Sequence, residues 1–116
     1  MQQHNLTING YQDEALRTIN WSLSMDEQLQ NGLMGLNGEA GECIDILKKH
    51  MFQEHDLDHE HLAKELGDVA WYLAVSAHAL GYSLETIFRL NIEKLRKRYP
   101  IEFDVERSVN REENDI

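Results

Sequence analysis

Two short motifs in this chain place acidic residues three positions apart. In EAGE these residues are Glu39 and Glu42, and in ELGD they are Glu65 and Asp68. Residues three apart on an α-helix are surface neighbours, with about 5 to 6 Å between their Cβ atoms. If both motifs lie on helices, each helix therefore presents a close pair of carboxylates on one face.

Converging carboxylates would favour a bound cation. They repel one another and lose hydration, so some must bind protons unless a cation neutralises them. Ligands that are all oxygen suit Mg²⁺, with Mn²⁺ as the alternative. Mg²⁺ often completes its coordination with water and substrate phosphates, which favours a nucleotide as ligand. The competing interpretation is that the four acids form solvated helix faces, as exposed acidic residues commonly do.

Apolar residues at helical spacing predict four helices that would position these motifs. The helices cover about residues 8–20, 27–51, 59–80 and 84–98, the last ending before Pro100. Ser24 has the spacing of a capping-box residue for the second helix. Asp58 or Asp56 is the N-cap of the third, and Ser83 that of the fourth. Gly81 suits the left-handed position that follows a helix C-terminus.

Glycines recur every third residue around the first acidic pair. They are Gly32, Gly35, Gly38 and Gly41, and the periodicity places them inside the second helix rather than in a turn. Each costs about 1 kcal/mol relative to alanine in a helix interior. Small residues let another backbone or a ligand come close. The sequence leaves close helix packing and ligand access open as explanations.

The fourth helix carries an amide and two cations on one face. Asn91, Lys94 and Arg98 lie at positions i, i+3 and i+7. They would suit phosphate oxygens, which arginine can bind through two hydrogen bonds. Alternatively, the basic residues complement the negative end of the helix dipole. Lys48 and Lys49 have the same two interpretations, and for them we favour a solvated face.

The composition predicts a cytoplasmic protein of one domain. The chain has 116 residues and a formal net charge of -10, which disfavours contact with a nucleic-acid backbone. It has no apolar run long enough for a membrane span, and MQQHNLTING lacks the pattern of a signal peptide. The single cysteine, Cys43, excludes an internal disulfide, and we expect it to be a small buried hydrophobe.

Most of the chain, from about Tyr11 to Pro100, resembles the MazG-like nucleoside triphosphate pyrophosphohydrolases. The similar segments are GLNGEAGECIDILKK and ELGDVAWYLAVSAHALGYSLETIFRLNIEKLRKRYP. The family pattern is ExxE, a spacer and ExxD, which the two acidic motifs match. The polar segment around residues 55–61 and the tail are less typical and leave the subfamily open.

The resemblance implies an all-α fold, a four-helix MazG-like bundle completed by dimerisation. The sequence leaves a homotetramer open as the alternative to a homodimer. It implies hydrolysis of a nucleoside triphosphate between the α and β phosphates, which releases a monophosphate and pyrophosphate with the help of Mg²⁺. We expect the domain to cover residues 1–103 and a polar, flexible tail to cover residues 104–116.

The same resemblance assigns roles to individual residues. The metal ligands would be Glu39, Glu42, Glu65 and Asp68. Glu39 or Glu42 would also orient or deprotonate the attacking water. The phosphate ligands would be Asn91, Lys94 and Arg98. The aromatic candidates for stacking on the base are Trp21, Trp71 and Tyr72, although core packing is the alternative for each of them.

Two other functions compete with this hypothesis. One is a helical dimer that binds a nucleotide or a protein without turnover. The other is a di-metal carboxylate bundle with different chemistry, but its di-iron form calls for Glu-x-x-His pairs. Here the third residue after Glu39 is Glu42, and after Glu65 it is Asp68. We interpret the remaining cluster as solvated linker residues: His50, His55, His59 and His61.

Overall fold

The computed structural model describes residues 5–102 and 104–110, which form helices and no strand. The helices are α1 (Ile8–Leu16), α2 (Met25–Phe52), α3 (His59–Ala79), α4 (Leu84–Arg98) and α5 (Val105–Val109). The prediction of an all-α fold is confirmed for this part of the chain. The chain divides into two compact units, residues 1–84 and 85–116, and the first contains α1, α2 and α3.

Both long helices begin at side-chain caps that the sequence predicted. Ser24 Oγ accepts a hydrogen bond from the Glu27 N–H at 3.1 Å, and Glu27 Oε1 accepts from the Ser24 N–H at 2.9 Å. At α3, Asp58 Oδ1 accepts from the His61 N–H at 3.0 Å. These bonds satisfy N–H groups that the first turn of a helix leaves without a partner.

The C-terminus of α3 is a Schellman motif. The Gly81 N–H donates to the His78 carbonyl at 2.8 Å, and the Tyr82 N–H donates to the Ala77 carbonyl at 2.9 Å. Gly81 has a φ of 85°, the left-handed conformation that the sequence predicted for it. The chain then turns, and α4 begins at Leu84.

The first helix is shorter than the predicted span of residues 8–20, since α1 ends at Leu16. The Ala15 carbonyl accepts from the Thr18 N–H at 3.2 Å and from Thr18 Oγ1 at 2.9 Å. Trp71 Nε1, from α3, donates to the same carbonyl at 3.1 Å. Hydrogen bonds between residues three apart, as in a 3₁₀ turn, tighten the chain at helix ends. Helix α1 therefore ends where Trp71 of α3 contacts it.

A buried glutamine connects α1 to the junction of α3 and α4. The Gln12 side chain is 6% exposed. Its Nε2 donates to the Ala74 carbonyl at 3.1 Å and to the Tyr82 carbonyl at 3.3 Å, while its Oε1 accepts from the Leu84 N–H at 2.9 Å. That N–H belongs to the first turn of α4, which has no intrahelical acceptor for it. Gln12 therefore supports the hydrophobic cluster of Ala15, Ala74 and Leu84.

Two of the glycines let α2 and α3 pack closely. A Cβ atom built at Gly32 would collide with the Ser76 hydroxyl, and one built at Gly35 would collide with the Tyr72 ring. The contact on α3 moves from Ser76 to Tyr72, toward lower residue numbers, as the contact on α2 moves from Gly32 to Gly35. The two helices are therefore antiparallel, as their short connection predicts. At these two positions the structure therefore favours close packing over ligand access.

Apolar residues at helical spacing form a stripe along α2 and another along α3, and part of each stripe is exposed within one chain. The buried residues of α2 are Gln28 and Gly32 instead. Four members of the stripe are between 51% and 60% exposed: Leu33, Met51, Leu66 and Leu80. A single chain therefore leaves part of the apolar surface of these two helices open to solvent.

The second unit contains α4 from Glu85 onward and the short helix α5. Asp104 caps α5, because its Oδ1 accepts from the N–H of Glu106 at 2.9 Å and of Arg107 at 3.4 Å. A helix thus lies within the segment 104–116, whose flexibility stays a prediction. Residues 111–116 of that segment lie outside the described residues.

Within the described ranges, no helix combines the length and the apolar character needed to cross a membrane.

Candidate metal centre

Three carboxylates meet where α2 faces α3. Oxygen atoms of Glu39, Glu65 and Asp68 all lie within 4.8 Å of one another. Glu39 follows Gly32 and Gly35 at steps of three and four residues, so it lies on the same face of α2 as they do. The close approach that the glycines permit therefore continues into this cluster, which holds three of the four acids that the sequence predicted as metal ligands.

The cluster raises the pKa of Glu39 above the usual value for a glutamic acid. The largest cause is a hydrogen bond with the side chain of Glu65, followed by burial and by the negative charges of Glu65, Asp68 and Glu42. A hydrogen bond between two carboxyl groups requires a proton on one of them, so the raised pKa favours the protonated form of Glu39. A divalent cation would replace that proton.

The negative field of the cluster reaches two neighbouring side chains. Burial is the main cause that raises the pKa of the Cys43 thiol, and the charges of Glu65 and nearby acids add to it. Burial also raises the pKa of Tyr11, with a further contribution from Asp68. Both groups are therefore neutral near pH 7, and Cys43 has none of the thiolate character that a nucleophile requires.

Glu42 stands apart from the other predicted ligands. It is exposed and does not belong to the three-carboxylate group, although its charge contributes to the raised pKa of Glu39. The neighbouring glycines, Gly38 and Gly41, face open space, because a Cβ atom built at either one meets no heavy atom within 4 Å. The surface beside Glu39 and Glu42 is thus left open, unlike the packed contact at Gly35.

A histidine that the sequence analysis assigned to the linker contacts the cluster. Since α3 begins at His59, His61 lies in its first turn, and its Nε2 is 3.4 Å from Glu65 Oε1. The four-residue spacing from His61 to Glu65 was the signal for this contact. In the connection between α2 and α3, His50 Nδ1 is 2.8 Å from the His55 carbonyl. Within the described residues, the candidate metal-binding group contains no histidine.

The three aromatic candidates differ in their surroundings. The Trp71 Nε1–H also donates to Thr18 Oγ1 at 2.9 Å, and the Trp71 ring lies edge-to-face against Tyr72 with centroids 4.9 Å apart. Trp71 therefore packs α1 onto α3. Trp21 is 60% exposed and lies edge-to-face against His78 at 5.8 Å. Of the two tryptophans, Trp21 offers the more accessible ring, and base binding by any of the three stays a prediction.

The predicted phosphate ligands all lie on α4, in the second unit. Asn91 and Lys94 are exposed, and Arg98 is half-buried. Their spacing places them on one face of that helix. Their role toward phosphate stays a prediction.

Comparisons with known proteins agree with these motifs. A family model of the MazG nucleotide pyrophosphohydrolase domain matches residues 27–103, which include α2 from Glu27 onward, all of α3 and α4, and both acidic motifs. The Gene 37 protein of Mycobacterium phage L5 is 38% identical over 76 residues, which cover 62% of this chain and 67% of the phage protein. The name of that relative states no activity. No solved structure matches the chain.

Proposed function

Since the chain belongs to the MazG nucleotide pyrophosphohydrolase family, we propose that it hydrolyses nucleoside triphosphates to a monophosphate and pyrophosphate with the help of Mg²⁺. One observation carries the proposal. Carboxylates from two antiparallel helices converge within 4.8 Å, although their mutual repulsion destabilises that arrangement. An arrangement of this kind suits a divalent cation and the phosphates that accompany it.

The three clustered acids fit a magnesium ion. Glu39, Glu65 and Asp68 would hold it, because they offer oxygen ligands only and the raised pKa of Glu39 indicates negative charge that lacks a counter-ion. When bound, Mg²⁺ would neutralise charge on the phosphates and lower the pKa of a water molecule. Mn²⁺ is the alternative ion for the same ligands.

Glu42 is our candidate for the base that accepts a proton from the attacking water. It is exposed and lies outside the group in which Glu39 and Glu65 share a hydrogen bond, so its carboxylate stays available. The water oxygen bonds to one phosphorus of the α–β anhydride, and the bond from that phosphorus to the bridging oxygen breaks. The bridging oxygen leaves with the other phosphate group, and the proton moves to Glu42. Glu39 is the alternative base.

The remaining contacts with substrate follow from residue chemistry. Asn91, Lys94 and Arg98 would bind the phosphate oxygens through charge-assisted hydrogen bonds. Trp21 is our first candidate for stacking on the base because its ring is 60% exposed. Tyr72 is the second, since its position four residues after Asp68 places it on the acidic face of α3.

Pairing of two copies would cover the apolar surface that one chain leaves exposed. Six large apolar residues of α2 and α3 are between 51% and 74% exposed: Leu33, Met34, Ile44, Met51, Phe52 and Leu66. Burial of apolar surface stabilises association by about 25 cal/mol for each Å² removed from water. We expect sedimentation equilibrium to give the mass of a homodimer, or of a homotetramer built from two dimers. A monomer at micromolar concentration would contradict this part of the proposal.

The decisive experiment is an assay of products. The full chain is incubated with Mg²⁺ and a panel of ribo- and deoxyribonucleoside triphosphates, and monophosphate and pyrophosphate are quantified. We expect equal amounts of the two products from at least one nucleotide, and none when a chelator removes the metal. Release of orthophosphate would place the cleavage at another bond. Nucleotide binding without any product would favour a binding module over an enzyme.

A further inference from the structure

We propose that His61 is a positioning residue for Glu65, a role that rests on the function proposed above. Its Nε2 atom lies 3.4 Å from Glu65 Oε1, within the carboxylate cluster's immediate surroundings. Nε2 carries a hydrogen in the charged imidazole and in one of the two neutral tautomers, and in these forms it attracts the carboxylate oxygen. The contact therefore restrains a carboxylate that Glu39 contacts from the opposite helix.

The first turn of α3 holds His61 in place for this contact. Asp58 Oδ1 accepts a hydrogen bond from the His61 backbone N–H at 3.0 Å, which anchors the turn. Side chains four residues apart on a helix lie one above the other, so the His61 ring faces the Glu65 carboxylate. The side chain of Glu65 is 20% exposed and that of His61 is 55% exposed. The histidine thus lies on the more solvated side of the pair.

Neighbouring lysines are directed toward other acids. Lys49 Nζ lies 3.0 Å from Asp45, and Lys64 Nζ lies 3.5 Å from Glu60. Both lysines pair with residues outside the three-carboxylate cluster. Among the ion pairs found within residues 5–102 and 104–110, the one that touches the cluster is the pair of His61 and Glu65.

Restraint of Glu65 would strengthen metal binding because less side-chain freedom is lost when the ion arrives. Hydrogen bonds to ligating carboxylates orient them, and loss of such a partner typically weakens metal affinity by about 10- to 100-fold. His61 is half-exposed, so we expect an effect at the lower end. In His61→Gln, the side-chain amide keeps an N–H donor, and we expect it to retain most of the affinity.

The test is calorimetric titration of Mg²⁺ into the full chain, which requires no turnover. Four proteins are compared: the wild type, His61→Ala, His61→Gln and the control His59→Ala, which removes an exposed histidine two residues earlier. We expect the Kd for Mg²⁺ to rise about tenfold in His61→Ala, with recovery in His61→Gln and no change in His59→Ala. At saturating Mg²⁺, His61→Ala should recover most of the wild-type kcat, with an unchanged KM for the triphosphate.

The outcomes separate this inference from the function on which it rests. If the wild type binds Mg²⁺ and releases pyrophosphate while His61→Ala has the same Kd, the positioning role is overturned and the function stands. If the wild type neither binds Mg²⁺ nor turns over any triphosphate, both are overturned. Equal weakening by His61→Ala and His59→Ala would indicate a general effect on the start of α3 and would also overturn the positioning role.

Discussion

The pairing of α2 with α3 has two ends with opposite chemistry. At the packed end, Gly32 and Gly35 of α2 lie against Ser76 and Tyr72 of α3. At the acidic end, Glu39 of α2 meets Glu65 and Asp68 of α3. At the packed end, neutral groups fit so closely that an added methyl group would collide. At the acidic end, like charges meet and raise the pKa of Glu39.

This difference shows how one end supports the other. Helices are stiff over a few turns, so the close approach at Gly35 sets the distance at Glu39, one turn further along α2. We expect the packing contacts at the packed end to offset the repulsion at the acidic end, because both act on the same pair of helices. Functional sites often lower the free energy of unfolding, and the surrounding structure then compensates for that loss. Substitutions at Asp68, Gly35, Glu39 and Trp71 test this relation between the two ends.

Asp68→Asn should abolish most activity while leaving the fold intact. Loss of a metal ligand removes several kcal/mol of transition-state stabilisation, so kcat/KM should fall about 100- to 1,000-fold. The melting temperature should not fall, because one of the repelling charges is removed. Glu60→Gln is the matched control, since Glu60 is an acid on the same helix with an 80% exposed side chain. Near-normal turnover by Asp68→Asn would remove the acidic end from the mechanism.

Gly35→Ala should destabilise the protein, whereas Gly38→Ala should stabilise it. The new methyl group at position 35 collides with the Tyr72 ring, and overpacking of this kind costs about 1 to 3 kcal/mol. At position 38 the methyl group meets open space, so the higher helix propensity of alanine should add up to about 1 kcal/mol. Urea unfolding of both variants measures the contrast. A gain in stability from both would mean that the packed end is not closely packed.

Glu39→Gln should change how the metal-free protein depends on pH. Because the folded state raises the pKa of Glu39, its contribution to stability is present below the unfolded pKa and is lost as pH rises through the folded value. The wild type should therefore melt at a lower temperature than Glu39→Gln at about pH 7, and the gap should close toward about pH 4. Mg²⁺ should raise the melting temperature of the wild type alone. Parallel pH curves for the two proteins would argue against repulsion at the acidic end.

Trp71→Phe should have the smallest of these effects. It weakens the contact between the end of α1 and α3, next to the packed end. It removes the indole N–H that donates to the Ala15 carbonyl and to Thr18 Oγ1, while Thr18 keeps its own bond to that carbonyl. We expect a loss of about 1 kcal/mol in the free energy of unfolding. Trp21→Phe, at a 60% exposed position, should change it by less than about 0.5 kcal/mol. An equal loss in both variants would contradict the packing role of Trp71.

The helices and their caps were predictable because local interactions determine them. Ser24 with Glu27, Asp58 and Gly81 all act within a few residues of their own position, and the structure confirms each of them. The end of α1 was not predictable, because the Ala15 carbonyl is occupied from α3, more than fifty residues away in sequence. Local pattern carries no information about such a partner.

The sequence predicted which acidic residues could form the candidate site, but not which of them lie together. Spacing selected four acids, whereas the structure brings three of them together and leaves Glu42 outside. Helical spacing also related His61 to Glu65, but the start of α3 decides whether His61 is helical at all. Gln12 gave no signal, because the three hydrogen-bonding partners of its side chain come from segments that only folding brings to it.

The order of residues was sufficient to predict the helical fold of the described residues, the capped ends of the two long helices and a set of acids suited to a hard cation. These features depend on spacing along one helix, which the geometry of the backbone dictates. The tertiary structure alone decided which glycines serve packing and which carboxylates meet. Those outcomes depend on the register of α2 against α3, and the register is set by the contacts of Gly32 and Gly35 across the two helices.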